Sequence, residues 1–109
     1  MIKQIGEEIT ILKDYKIELA FSGDKLQVKE GDKGFIDSKG SIHYITGKAR
    51  GKIHRLGNIE VDGYDCENIA KMLFRRIKNE FNLGEYFEDY EISEREVIES
   101  LEDVLSDIL

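Results

Sequence analysis

The chain has 109 residues, 16 basic against 23 acidic for a formal charge of −7, one cysteine, no proline and no tryptophan. That length predicts one ordinary domain, and a lone Cys66 excludes a disulfide framework or an all-cysteine zinc cage within one chain. No apolar run approaches the ~18–20 residues of a bilayer span, and Met1 to Thr10 lacks the apolar centre of a signal peptide, so a soluble, acidic, cytoplasmic protein without a membrane partner is expected.

The first 62 residues read as β. Ile9 and Ile11 alternate with polar neighbours, so residues 8–13 read as strand, although Ile2, Ile5, Ile9 and Leu12 also fit helical spacing. Residues 1–7 accommodate an opening helical turn. Tyr15, Ile17, Leu19 and Phe21 then alternate with Lys16, Glu18 and Ala20, the period of a half-buried strand. Leu26 to Val28 repeats the pattern before the turn Glu30-Gly31-Asp32. Gly34 to Ile36 and Ile42 to Thr46 flank Asp37-Ser38-Lys39-Gly40, a strong hairpin signal because Gly supplies a positive φ. Lys52 to Leu56 returns across Gly47 to Gly51 in a second hairpin. Ile59 to Val61 is a last strand, ended by Asp62-Gly63. Five to six short antiparallel strands are predicted.

From Asp65 the period changes to 3.6. Asp65 can cap a helix over 65–83, whose apolar residues cover an arc wide enough to pack against the sheet and another helix. Asn82-Leu83-Gly84 ends it, with Gly84 as a left-handed cap. Ser93 to Glu96 has the capping-box pattern and opens an acidic helix over 93–109. Strands followed by helices make the fold class α+β, an antiparallel sheet with a C-terminal helical hairpin in a single domain.

The charge is unevenly spread. Residues 1–62 and 63–84 carry +1 each, whereas residues 85–109 carry −9. Glu96, Glu99, Asp103 and Asp107 fall on one face of the last helix, opposite its apolar face. Local energetics argue against this arrangement: the C-terminal end of a helix prefers cations, and like charges at i,i+4 repel. Glu85, Tyr86, Glu88, Asp89, Tyr90 and Glu91 add acids and aromatics between the helices. Aromatics supply interface anchors and acids steer toward a basic partner. The expectation is therefore a non-enzymatic binding protein whose acidic surface occupies a basic groove on another protein, such as a nuclease or other nucleic-acid-binding protein.

The alternative lies in residues 39–55, inside an acid-free span, where Lys39, Lys48, Arg50, Lys52 and Arg55 supply +5 and Tyr44 is available for stacking. This hairpin would contact nucleic acid directly, or meet the acidic tail of its own or another chain. The oligomeric state is left open.

Signals for catalysis are weak. Gly47-Lys48 is not a phosphate loop, because Ile42 and Ala49 stand where Gly and Ser or Thr are required. His43, His54 and Cys66 have no ligand spacing that supports a metal site. If Thr46 pairs with Lys52, His54 lies opposite Tyr44 while His43 points to the other face. Cys66 reads as a small residue at a sheet–helix junction. No enzyme activity and no cofactor are expected.

Two resemblances follow. Val28-Lys29-Glu30-Gly31-Asp32-Lys33-Gly34-Phe35-Ile36 resembles the opening of KOW-type SH3-like barrels, which implies a small barrel that binds nucleic acid or protein. Lys13 to Leu19 ahead of a hairpin region, a helix with Ile77 to Phe81 and the acidic stretch Glu85 to Glu91 together resemble small acidic phage-encoded anti-CRISPR proteins. That resemblance implies an inhibitor that imitates DNA in a nuclease groove. The basic hairpin departs from it.

Overall fold

A computed structural model describes residues 1–19 and 21–109. The chain divides at residue 64, where the apolar period changes, into two compact units, Met1–Tyr64 and Asp65–Leu109. Together they make an α+β protein.

The first unit contains eight short strands among its described residues: β1 (Ile2–Ile5), β2 (Glu8–Thr10), β3 (Tyr15–Glu18), β4 (Lys25–Val28), β5 (Lys33–Ile36), β6 (Ser41–Tyr44), β7 (Ile53–Arg55) and β8 (Glu60–Tyr64). Four of them form an antiparallel sheet in the order β2-β5-β6-β7, and β3 pairs antiparallel with β4. The β5–β6 hairpin is closed by Asp37. Its Oδ1 accepts the amides of Lys39 and Ser41, both at 2.9 Å, and Gly40 turns the chain at φ 79°. Within that hairpin Gly34 has no room for a side chain: a Cβ there would lie 2.6 Å from Ile42 Cγ1 and 2.7 Å from the His43 carbonyl oxygen.

Three expectations are corrected here. Residues 2–5 form a strand rather than a helical turn. β1 pairs in parallel with β8, Ile2 opposite Glu60, and β8 runs through Asp62 and Gly63 to Tyr64. The strand expected over 15–21 stops at Glu18. Beyond it the Gly23 amide donates to the Leu19 carbonyl, and Phe21 is fully exposed instead of facing inward. Ala20, placed by alternation on the outer face of that strand, lies outside the described residues.

The core of this unit consists of Ile11, Ile17, Val28, Ile36, Ile42, Tyr44 and Ala49. Alternation accounts for most of it, since Ile36, Ile42 and Tyr44 all point to one face of the β5–β6 pair. Ala49 comes from the tip of the second hairpin and is completely buried, which pins that tip to the core.

The second unit has three helices, α1 (Cys66–Glu80), α2 (Gly84–Asp89) and α3 (Glu94–Ile108). Asp65 caps α1 by accepting the Asn68 amide at 3.0 Å, and Ser93 caps α3 by accepting the Glu96 amide at 3.4 Å. α1 packs on α3, with Ala70 and Phe74 buried. A 2.7 Å ion pair from Lys78 to Glu94 ties the end of α1 to the start of α3. Gly84 is not the left-handed cap expected for α1. Asn82 takes that conformation at φ 52°, and Gly84 opens α2. α1, the Phe81 that follows it and α3 keep exposed apolar residues, among them Leu73, Ile77, Val104 and Ile108.

Candidate functional site

α2 occupies the segment expected to be a plain connection between helices. Its Phe87 packs on Phe74, with ring centroids 5.4 Å apart, and this contact seats the short helix on α1. Tyr86 and Tyr90 are one turn apart on α2 and its cap, 4.6 Å between ring centroids, and both are exposed at 51% and 68%. Around them Glu85, Glu88, Asp89 and Glu91 are all exposed. Glu85 and Glu88 also line an open depression of about 510 Å³ with Lys78 and Glu94. On α3, Glu96, Glu99, Asp103 and Asp107 are exposed, while Val97, Ile98, Leu101 and Leu105 on the opposite face are half-buried. At 1.5 Å rise per residue the four carboxylates extend over about 16 Å of helix.

Among the described residues, Glu99 alone of the eight acids expected to form this surface has a cation within 4 Å, the Arg95 guanidinium at 3.1 Å. Glu85, Glu88, Asp89, Glu91, Glu96, Asp103 and Asp107 have none. The last turn of α3 holds no basic residue, so the carboxylates there face the negative end of the helix dipole uncompensated. The unit Asp65–Leu109 contains 5 basic and 13 acidic residues, a net charge of −8 in 45 residues.

The basic hairpin is ordered by a different device. Around the buried Ala49, the Gly51 amide donates to the Tyr44 carbonyl at 2.9 Å and the Lys52 amide to the Ala49 carbonyl at 2.9 Å. Lys48 and Arg50 flank the buried Ala49 and are therefore held out into solvent. Lys39, Lys48, Arg50, Lys52 and Arg55 are all exposed without an ion pair among the described residues. Tyr44 does not accompany them. It is only 2% exposed, so the ring expected to stack on bases is part of the core instead.

Tyr44 has a different role. Its hydroxyl lies 2.6 Å from the Tyr15 hydroxyl and 3.1 Å from His54 Nδ1, a chain of three polar side chains running into the core. Burial pushes the Tyr44 hydroxyl far above the ordinary phenol range, helped by the bond to Tyr15 and the charge of Asp32, so it stays protonated. The signal was present in the sequence: Tyr44 shares the parity of Ile42, and Tyr15 that of Ile17. The faces expected for the two histidines hold, but their register differs by two residues, with Ile42 opposite His54 and His43 opposite Ile53. His43 stacks on Phe35 at 4.7 Å and bonds Asp37 Oδ2 at 2.8 Å. Burial alone would raise the Asp37 carboxyl. The bond from His43 and the amides of Ser41 and Lys39 outweigh it and hold the carboxyl below its ordinary value. Thus the two histidines point to opposite faces, each with its own partner. Among the described residues, no group of three or more His, Cys, Asp or Glu is placed to hold a metal ion, and no helix is long and apolar enough to cross a membrane.

Comparison with protein-family models, curated proteins and solved structures finds no match.

Proposed function

We propose that the helical unit is a non-enzymatic docking surface that occupies a basic groove on a partner protein. The observation that carries this reading is the exposed Tyr86–Tyr90 pair set among carboxylates that lack cation partners. Exposed tyrosines are efficient interface anchors, because they bury much area for little lost side-chain freedom. Unpaired carboxylates raise the encounter rate with a basic surface and reject acidic ones. Their placement against the α3 dipole costs local stability, which a solvated face has no need to accept.

The partner class follows from the charge pattern. Basic grooves of this kind bind nucleic acid, so the helical unit acts as an inhibitor that competes with DNA or RNA, in line with the resemblance to anti-CRISPR proteins. The carboxylates of α3 recur every 4.5–6 Å along the axis, against one charge per ~1.7 Å of duplex DNA, so α3 needs the acids of α2 to approach that density.

The test is competitive capture. The immobilised chain is expected to retain a nucleic-acid-binding protein from a host extract and to release it when duplex DNA is added. Charge reversal at Glu99, Asp103 and Asp107 should abolish capture, while Lys48, Arg50 and Lys52 to Glu should leave it intact. If instead the isolated chain retards DNA or RNA in a gel, and the hairpin variant alone abolishes this, the proposal is wrong and the basic hairpin is the working surface.

A further inference from the structure

The β unit carries a second feature that is independent of the acidic helices. A cleft of about 410 Å³, within the size range of small-molecule sites, is lined by residues in and after β3 and by residues of β7 and its approach. Ile17, Leu19 and Ile53 give it an apolar wall. Phe21 stands at it fully exposed, an aromatic surface that a ligand would cover.

Two opposite charges border this wall, Glu18 and Lys52. Both are exposed, and neither has an ion-pair partner among the described residues. The third polar group is His54. Its Nδ1 is held by the Tyr44 hydroxyl, which is held in turn by Tyr15. Besides bonding each other, the two hydroxyls therefore also hold the imidazole ring in one orientation. In the tautomer in which Tyr44 donates to Nδ1, the imidazole proton sits on Nε2, which has no partner among the described residues and is then a donor toward a ligand anion.

We propose that this cleft binds an apolar α-amino acid in its zwitterionic form, the carboxylate taken by Lys52 and His54 and the ammonium by Glu18. The charge pattern selects this class. A dianion such as phosphate meets Glu18, and a simple amine meets Lys52 and the imidazole donor. A zwitterion satisfies both ends at once, and its side chain covers Ile53 and Phe21.

Heteronuclear NMR of the full chain titrated with L-leucine or L-phenylalanine tests this. Saturable shifts are expected at Ile17, Leu19, Ile53 and His54, with weaker binding of N-acetyl-leucine, which lacks the ammonium, and of leucinamide, which lacks the carboxylate. Glu18→Gln should remove the discrimination against N-acetyl-leucine, and Lys52→Met that against leucinamide. Both positions are exposed, so an unchanged melting temperature verifies the fold of each variant. Absence of saturable shifts up to about 10 mM, an affinity weaker than the ~1 mM of a marginal ligand, overturns the proposal. So does equal binding of leucine and its two blocked forms, which would mean apolar contact without recognition of charge.

Discussion

Replacing Tyr44 with phenylalanine removes a single oxygen from the middle of the buried Tyr15–Tyr44–His54 chain and leaves the ring in place. Two hydrogen bonds are lost, at 2.6 and 3.1 Å. Each contributes about 0.5–1.5 kcal/mol net, so the gross loss is about 1–3 kcal/mol. Tyr15 and His54 are half-buried and regain part of this from water, which places the expected destabilisation near ~1.5 kcal/mol. The unit involved spans Met1–Tyr64, and domains of that size shift by about 4–8 °C per kcal/mol, so the melting temperature should fall by roughly 6–12 °C. Urea unfolding followed by far-ultraviolet circular dichroism measures the change. The Tyr15→Phe and Tyr15→Phe/Tyr44→Phe variants complete a double-mutant cycle. Because the two hydroxyls bond each other, the double variant should lose less than the sum of the single ones. A Tyr44→Phe protein within about 0.3 kcal/mol of the parent, with additive single effects, would refute the idea that the chain stabilises the core.

Other positions give sharper contrasts. Gly34→Ala forces a Cβ against Ile42 and the His43 carbonyl and should cost at least about 1–3 kcal/mol, whereas Gly57→Ala, which meets nothing within 4 Å, should stay within about 0.5 kcal/mol; parallel urea titrations compare them. Asp37 is held below its ordinary pKa in the folded state, so its contribution is complete above the unfolded value of about 3.9 and is lost as pH falls through the folded value. The acid limb of a stability–pH curve should therefore flatten in Asp37→Asn, and an unchanged limb would contradict the assignment. Asp65→Ala removes the α1 cap and should cost about 1 kcal/mol, read as lost helicity in the thermal melt. Tyr86→Ala with Tyr90→Ala should move the melting temperature little, since both rings are exposed, while abolishing partner capture; a large drop in stability would make the pair structural instead.

The sequence announced the local features well. Asp37 to Gly40 reads as a hairpin because its carboxylate and glycine act within four residues, and Asp65 and Ser93 read as caps for the same reason. Acidic exposure on α3 was equally legible, since the opposite apolar face fixes which side meets solvent. What escaped was non-local or short. β1 is four residues long, and Ile2 and Ile5 stand at helical spacing; only its partner, far along the chain, makes it a strand. α2 has six residues, too few to display a period, and its place is set by Phe87 meeting Phe74. Tyr44 neighbours cations in sequence, which suggests an exposed aromatic surface. Its parity with Ile42, which sends it to the core, was the stronger cue.

The parallel pair of β1 and β8 has a consequence for how the protein is made. Ile2 meets Glu60, 58 residues later, so β1 leaves the ribosome roughly 3–12 s before its partner at ~5–20 residues per second. During that interval Ile2 and Ile5 belong to an unpaired strand edge, the kind of template on which nascent chains associate. Lys3 lies between them, and a charged lysine on such an edge disfavours pairing with a neighbour. The helical unit carries no comparable delay, because α1 and α3 meet across a short connection. Synthesis rate and temperature should therefore govern recovery of the β unit far more than that of the helices.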